Sequence, residues 1–448
     1  MSVLLFFGGL AYWQVWRTDL ATDAGNPRAL PGFSDPLRGR ILDRRGNELA
    51  VSLPNGKRRY TDASVAHAVG YLDARFGAQG AELVFNEELS GKGGPSFRSA
   101  LNAEFRRTGQ RGFDVQLTLD PVIQRAAATA LGARKGAVIA LDPRNGEVLA
   151  MVSVPTYDPG ALVTLGDALA NDPNSPLLNR ATQGLYPPGS TFKTVTASSL
   201  LENKVVTPET IVTCKDKVVI DGFPVNCSNV VQGPGTYPFK NAFAFSVNAI
   251  FAEQGVKLGW DRLLETAGKF GFGSRLAFTL PTARTQVRAA ESAQTKALLA
   301  STAFGQGEIL ATPLQMAEVA AIIANDGVLV SPHLGFAVKN GARLVEMLEQ
   351  PSSKRVLSSD IARTMRDLMV AVIENGQAAG VAISGVQIGG KTGTAELSDD
   401  GTSHAWFIAF APANNPVIAV AVVVERGGRG GEVASPIAGQ VIKAALNR

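Results

Sequence analysis

Histidine and cysteine are scarce, with three of the first and two of the second in 448 residues. His67, His333 and His404 stand far apart, and Cys214 and Cys227 have no second pair or neighbouring histidine. No metal-ligand spacing results, so neither a metal centre nor a cofactor is expected. An excess of one charge is also missing: 43 basic against 39 acidic residues leave +4. No dense Lys/Arg run is interleaved with aromatics, which argues against nucleic acid as a partner. A long apolar run is lacking too. Val3 to Trp16 precedes the first charged residue, Arg17; at about 1.5 Å per residue a helix of that length falls short of a hydrocarbon core of roughly 30 Å. It has no basic n-region and no A-x-A-like cleavage site, which disfavours a cleaved signal peptide. Tyr12, Trp13 and Trp16 at its end fit an interfacial aromatic belt. We expect residues 1–20 to be a membrane anchor whose cytoplasmic start is missing or misassigned, the alternatives being a signal core or a buried helix.

What is present suffices for a large core: 45% hydrophobic and 18% charged residues point to two or three lobes. A loop-rich stretch runs from Ala24 to Leu37, and Arg38 to Gly46 reads as a strand entering a tight turn. Residues 21–120, mixed and Gly-rich with a loop at Gly91 to Pro95, form an expected pedestal lobe. Asp120-Pro121 opens a helix, the proline at its first position. Gly136–Leu141 and Val148–Ser153 are apolar runs joined by Asp142-Pro143-Arg144-Asn145-Gly146, a hairpin signature. Val386–Glu396, Ala405–Ala411 and Val417–Val424 supply further strands; the last is continuous and β-branched, as in a strand covered on both faces. Ser435–Leu446 reads as a closing helix, and residues 155–385, including Leu314–Ala324, as mostly helical. Strands, a helical middle, then strands and a helix predict one α+β domain over 121–448 whose sheet closes late.

Three short patterns carry chemistry. In Tyr186-Pro187-Pro188-Gly189-Ser190-Thr191-Phe192-Lys193 a stiff Pro/Gly approach places Ser190 at a helix start, where the dipole favours developing negative charge. Lys193 shares its face, and burial would turn that amine into a base for the hydroxyl. Ser190-x-x-Lys193 occurs once in the chain but carries little information alone. Ser246-Val247-Asn248 sets two polar groups inside an apolar run, where they must be paired, either structurally or for catalysis. In Gly390-Lys391-Thr392-Gly393-Thr394 strand alternation puts Thr392 and Thr394 on one face and Lys391 on the other. Gly393 would let a peptide approach and add as a strand.

Together, in this order and at intervals of 56 and 145 residues, the three patterns resemble the S-x-x-K, S-x-N and K-T-G signature of penicillin-binding proteins and serine β-lactamases. The second interval is long for a class A β-lactamase and resembles class B transpeptidases. Arg38-Gly39 to Asp43-Arg44-Arg45-Gly46 resembles their pedestal motif, and Phe304-Gly305-Gln306-Gly307 with Thr312-Pro313-Leu314-Gln315-Met316-Ala317 a further recurring segment. The brief pedestal, with Tyr12-Trp13-Gln14-Val15 leading to Asn26-Pro27-Arg28, is most similar to the short penicillin-binding protein A type.

The resemblance implies a five-stranded antiparallel sheet between helices, with an all-helical subdomain alongside. It implies a D,D-transpeptidase in which Ser190 attacks a D-Ala-D-Ala stem of peptidoglycan, with Lys193 as base and Ser246 and Lys391 returning a proton. Asn248 would hold the stem amide, Thr392, Gly393 and Thr394 the donor strand and its carboxylate, and the N–H groups of Ser190 and Thr394 the oxyanion. Implied partners are stem peptides on lipid-linked or nascent glycan, β-lactam antibiotics and a SEDS-type glycan polymerase, at the outer face of a bacterial membrane. In that compartment Cys214 and Cys227 would form a disulfide; two free buried thiols are the alternative. D,D-carboxypeptidase, β-lactamase, and a non-enzymatic β-lactam sensor or scaffold remain as other functions of the same signature.

Overall fold

The computed structural model describes residues 38–91, 112–227, 233–289, 293–348, 351–375, 378–397 and 401–447. The expected anchor and most of the Gly91 to Pro95 loop lie outside them. Among the described residues no helix is long and apolar enough to cross a membrane. The chain divides into two compact units.

The smaller unit comprises the described residues to Leu117, Thr156–Leu177 and the hairpin beginning at Gly335. Its six-stranded sheet runs in the order Arg343–Met347, Gly335–Asn340, Asp114–Leu117, Ile41–Leu42, Glu48–Ser52, Arg58–Tyr60. Ile41–Leu42 pairs parallel with Asp114–Leu117, the other pairs being antiparallel. The turn after Leu42 is fixed by Asp43, whose Oδ1 accepts the N–H groups of Arg45 and Asn47, with Gly46 at φ +87°. Two of this unit's three segments lie in the chain beyond residue 120, where the sequence reading had only the second domain. Both fall within the stretch read as mostly helical, the second is a hairpin instead, and nothing local says which core they join.

The larger unit holds the sheet anticipated from the C-terminal strands. Its elements are α1 (Pro121–Leu131), β1 (Gly136–Leu141), β2 (Val148–Val154), α2 (Lys193–Glu202), α3 (Phe239–Ala244), α4 (Asn248–Leu258), α5 (Trp260–Lys269), α6 (Lys296–Ala303), α7 (Pro313–Ala324), α8 (Ser359–Glu374), β3 (Gly389–Glu396), β4 (Ser403–Ala411), β5 (Ile418–Val424) and α9 (Gly430–Leu446). The strand order is β3-β4-β5-β1-β2, antiparallel throughout. Asp120 caps α1 as expected, its carboxylate accepting from Val122 and Ile123 N–H. One sheet face carries Val138, Ala140, Phe407, Val420 and Val422 against Ile123, Ala127 and Leu131 of α1 and Ile437, Val441 and Ile442 of α9. The other face meets α7, every residue of which is buried. Covering both faces is why β5 is apolar without alternation. At the β2 edge Gln124 imitates a strand: its amide donates to Met151 O and accepts from Met151 N–H.

Two expectations shift. Helix α9 starts at Gly430, not Ser435. Glycine is a poor helix former, but here tertiary packing requires it: a Cβ on Gly430 would stand 2.1 Å from Trp406 O. The helical middle also contains short ribbons, Lys217–Ile220 with Phe223–Asn226, Ile211–Cys214 with Gly235–Pro238, and Val328–Val330 with Ser353–Arg355. Strands of three or four residues are too short for periodicity to register. Cys214 and Cys227 are joined in a disulfide that closes the first of these ribbons, with Cα atoms 5.8 Å apart.

Candidate active site

Pro187-Pro188 leads into Gly189 at φ +54°, and a 3-10 turn over Gly189–Phe192 passes into α2 at Lys193. Thr191 Oγ1 donates to Pro188 O at 2.7 Å, tying the turn to its own approach. Ser190 thus sits in the first turn and Lys193 one turn later on the same face. Lys193 Nζ lies 3.1 Å from Ser190 Oγ, 2.7 Å from Ser246 O, 3.1 Å from Ser246 Oγ and 2.5 Å from Asn248 Oδ1. Two of the three sequence patterns therefore meet at a single amine.

Ser246 occupies the link between α3 and α4 in the left-handed region, φ +62°. That conformation is unusual for a residue with a Cβ and costs roughly 1–2 kcal/mol. It reverses the chain so that Ser246 O, Ser246 Oγ and the Asn248 amide all face Lys193. The floor is aromatic: Lys193 Nζ is 5.4 Å from the centroid of Phe251, and Lys391 Nζ is 5.8 Å from that of Phe243. Phe243 and Phe251 are themselves in contact, with centroids 6.2 Å apart.

Both lysines are fully buried. Burial pushes the Lys193 amine well below the ordinary lysine range, and the nearby charge of Lys391 pushes it further. Burial brings Lys391 down to about 7. Neither has an ion-pair partner among the described residues, so the low dielectric draws both toward the neutral amine, Lys193 the further of the two.

Strand β3 closes the site. Lys391 pairs with Ile408 and Gly393 with Trp406 on β4, leaving the far edge of β3 open. The missing side chain of Gly393 has a purpose the sequence did not suggest. A Cβ there would stand 2.9 Å from Pro188 O, from Thr191 Cγ2 and from Trp406 Cβ, so the space is filled by the Ser190 turn and the neighbouring strand. Gly189 is the reciprocal case, its Cβ position lying 2.7 Å from Thr394 O. Turn and strand meet backbone to backbone because both are glycine at the contact.

Sequence reading missed the support behind this turn. Trp406 Nε1 donates to Pro187 O at 3.0 Å. Tyr186 OH and Arg180 Nε both donate to Glu425 Oε1 at 2.8 Å, and Lys135 reaches Glu425 Oε2 at 3.3 Å. Burial would raise the Glu425 carboxyl, but hydrogen bonds from Arg180 and Tyr186 hold it below the usual range. The one sequence signal was Glu425 itself, an acid placed directly after the apolar strand β5.

Residues 136–443 match the penicillin-binding protein transpeptidase domain family. The chain is 36% identical to the peptidoglycan D,D-transpeptidase PbpA of Mycolicibacterium smegmatis, covering 99% of this chain and 96% of that one. It is 35% identical to PbpA of Mycobacterium tuberculosis over 97% and 94% of the two. Among solved structures, penicillin-binding protein A from M. tuberculosis as its imipenem acyl-enzyme complex superposes with a TM-score of 0.84 at 33% identity, covering 92% of this chain and 99% of that one.

Proposed function

The chain belongs to the penicillin-binding protein transpeptidase family, and from that premise we propose that it is a peptidoglycan D,D-transpeptidase acting through an acyl-enzyme on Ser190. The observation that carries the assignment is the buried, uncompensated Lys193 amine 3.1 Å from Ser190 Oγ. As a neutral amine it has two N–H donors and one lone pair. Ser246 O and Asn248 Oδ1, its two nearest partners, take the donors. The lone pair is left for the Ser190 hydroxyl proton as Oγ attacks the penultimate D-Ala carbonyl.

Negative charge then develops on the carbonyl oxygen between the N–H groups of Ser190 and Thr394, each worth about 3 kcal/mol in such a site. Ser246 Oγ, 3.1 Å from Lys193 Nζ, and Lys391 return the proton to the leaving D-Ala nitrogen. With its oxygen held by Lys193, Asn248 offers its NH2 to a carbonyl of the stem. The hydroxyls of Thr392 and Thr394 bind the terminal carboxylate, and the open edge of β3 pairs with the stem backbone beside Gly393. The amine of a neighbouring stem attacks the ester, Lys193 now acting as base for that amine, and the cross-link forms with Ser190 released. A β-lactam enters by the same acylation and stays, since its amine remains tethered. The reading extends to a membrane tether through residues 1–20, a catalytic domain on the outer face, and a SEDS-type glycan polymerase as partner.

Labelling with a fluorescent penicillin tests it. Wild type takes up label that persists for hours, and Ser190→Ala takes up none. Label on Ser190→Ala, or none on wild type, overturns the assignment; rapid loss of label with turnover makes the protein a β-lactamase. Release of D-Ala from a pentapeptide without dimer formation in the presence of acceptor amine makes it a carboxypeptidase.

A further inference from the structure

The turn Phe304-Gly305-Gln306-Gly307 follows α6 and has no part in the mechanism above. Gly305 adopts φ +89° and presses on the nucleophile turn from behind. A Cβ built on it would stand 1.7 Å from the Gly189 carbonyl oxygen, 2.5 Å from its carbon and 3.1 Å from Gly189 Cα. The atoms concerned are backbone, so they cannot swing aside as a side chain could.

The oxygen involved is informative. Gly189 C=O and Ser190 N–H belong to one planar trans peptide unit, with oxygen and hydrogen on opposite edges. Whatever abuts the oxygen therefore fixes the direction of the hydrogen. The second oxyanion donor has a parallel arrangement: Thr394 N–H shares its plane with Gly393 C=O, and a Cβ on Gly430 would stand 2.2 Å from that oxygen. The Gly393 plane is also held by strand pairing with Trp406. The Gly189–Ser190 plane lies in a turn, outside any ladder, so the contact with Gly305 matters more there.

We propose that Gly305 is a positioning residue whose bare α-carbon holds the Gly189–Ser190 peptide plane, aiming the Ser190 N–H at the oxyanion of acyl transfer. The proposal rests on the assignment of Ser190 as nucleophile and of its N–H as an oxyanion donor. Gly307 supplies the comparison. It too has a positive φ, +79°, but the three atoms nearest its Cβ would be Ser301 Oγ at 2.9 Å, Leu298 Cδ1 at 3.2 Å and Thr302 Oγ1 at 3.5 Å, ends of side chains that can move. Backbone strain from alanine is thus similar at 305 and 307, and only 305 touches the peptide plane.

The test uses the full chain as wild type, Gly305→Ala and Gly307→Ala. Penicillin acylation is resolved into pre-covalent affinity and an acylation rate constant per active site, counted by end-point labelling. Affinity is also measured for a peptidyl boronic acid, which forms a tetrahedral serine adduct. Gly305→Ala is expected to lower the acylation constant and the boronate affinity by about 10- to 100-fold. Its pre-covalent affinity should match that of Gly307→Ala, while its melting temperature falls further because the atoms displaced are backbone. Equal acylation constants in the two variants overturn the proposal. So does a Gly305→Ala chain that never folds, because the glycine then serves the fold rather than the hydrogen bond. In 15N-serine-labelled wild type, a Ser190 amide that does not shift when boronate binds overturns the oxyanion assignment itself, separately from the role of Gly305.

Discussion

Two clusters, one in each unit, bury charge in opposite ways. In the smaller one Glu82, fully buried, receives Arg38 Nε at 2.8 Å on one oxygen and Arg58 Nε at 2.7 Å on the other, and Arg38 also donates to Asn86 Oδ1 at 2.7 Å. Burial alone would raise the Glu82 carboxyl, but the two guanidinium groups hold it below its ordinary value. In the larger unit Lys193 and Lys391 are buried as deeply with hydroxyl, carbonyl and aromatic neighbours only, and both are pushed down. The first cluster keeps its charges by neutralising them locally, while the second is drawn toward neutral amines because no counter-charge faces it. A buried ion that remains an ion can cross-link a fold, whereas a buried amine that gives up its proton can serve as a base. The contrast separates a structural use of burial from a catalytic one.

Breaking each cluster should therefore break different things. Lys193→Met removes the proposed base, and penicillin acylation should fall by about 10²–10⁴-fold with the melting temperature unchanged or higher. An acylation rate within a few-fold of wild type would remove Lys193 from the mechanism. Glu82→Gln leaves two buried guanidinium groups without their counter-charge and should destabilise the smaller unit by roughly 3–5 kcal/mol. Denaturant titration reads that loss, with acylation per folded molecule unchanged. If the same substitution slowed acylation while leaving stability intact, the distinction between the clusters would fail.

How much of this the sequence foretold depended on how local each signal was. Asp120 as cap, the hairpin around Asn145-Gly146 and the apolar run of β5 are local, and they appear where periodicity and turn chemistry put them. The three site patterns were legible as short strings, and their convergence followed from a resemblance, since 145 residues separate Ser246 from Lys391. Features requiring two distant backbones were illegible. Gly393 looked like an opening for substrate, but the carbonyl of Pro188 explains it. Arg180 and Glu425, 245 residues apart, gave no sign of sharing a carboxylate oxygen with Tyr186. The hairpin at Gly335 lay in a stretch read as mostly helical, and nothing local assigned it to the other core.

Titration sharpens the contrast further. Lys391 has a folded value of about 7 against roughly 10.4 in an unfolded chain. Between those values the unfolded state binds more protons, so stability rises with pH. The cost of burying this lysine is full below about pH 7 and gone above about 10.4. Lys391→Met should accordingly raise the melting temperature by several degrees at pH 6 and by nothing near pH 10. A gain independent of pH would mean that packing, not charge, is what methionine improves. Lys193 is lowered in the same direction, so wild-type acylation should fall as the solution is acidified and the amine takes its proton.

Glu318 is the mirror image. It lies fully buried on α7 near the Gln315 amide, 3.4 Å away, and burial alone raises it to about 8. Here the folded state binds the extra proton. Its stabilising contribution is complete below the unfolded value of about 4.3 and is lost as pH climbs through about 8. Glu318→Gln, carrying a comparable polar burden without the ionisation, should gain several kcal/mol at pH 8.5 and nothing at pH 4. Differential scanning of the two proteins across that range decides it. A gain of equal size at both pH values would show that Glu318 is not titrating between them, and that burial without a counter-charge is tolerated differently for acids than for the lysines beside Ser190.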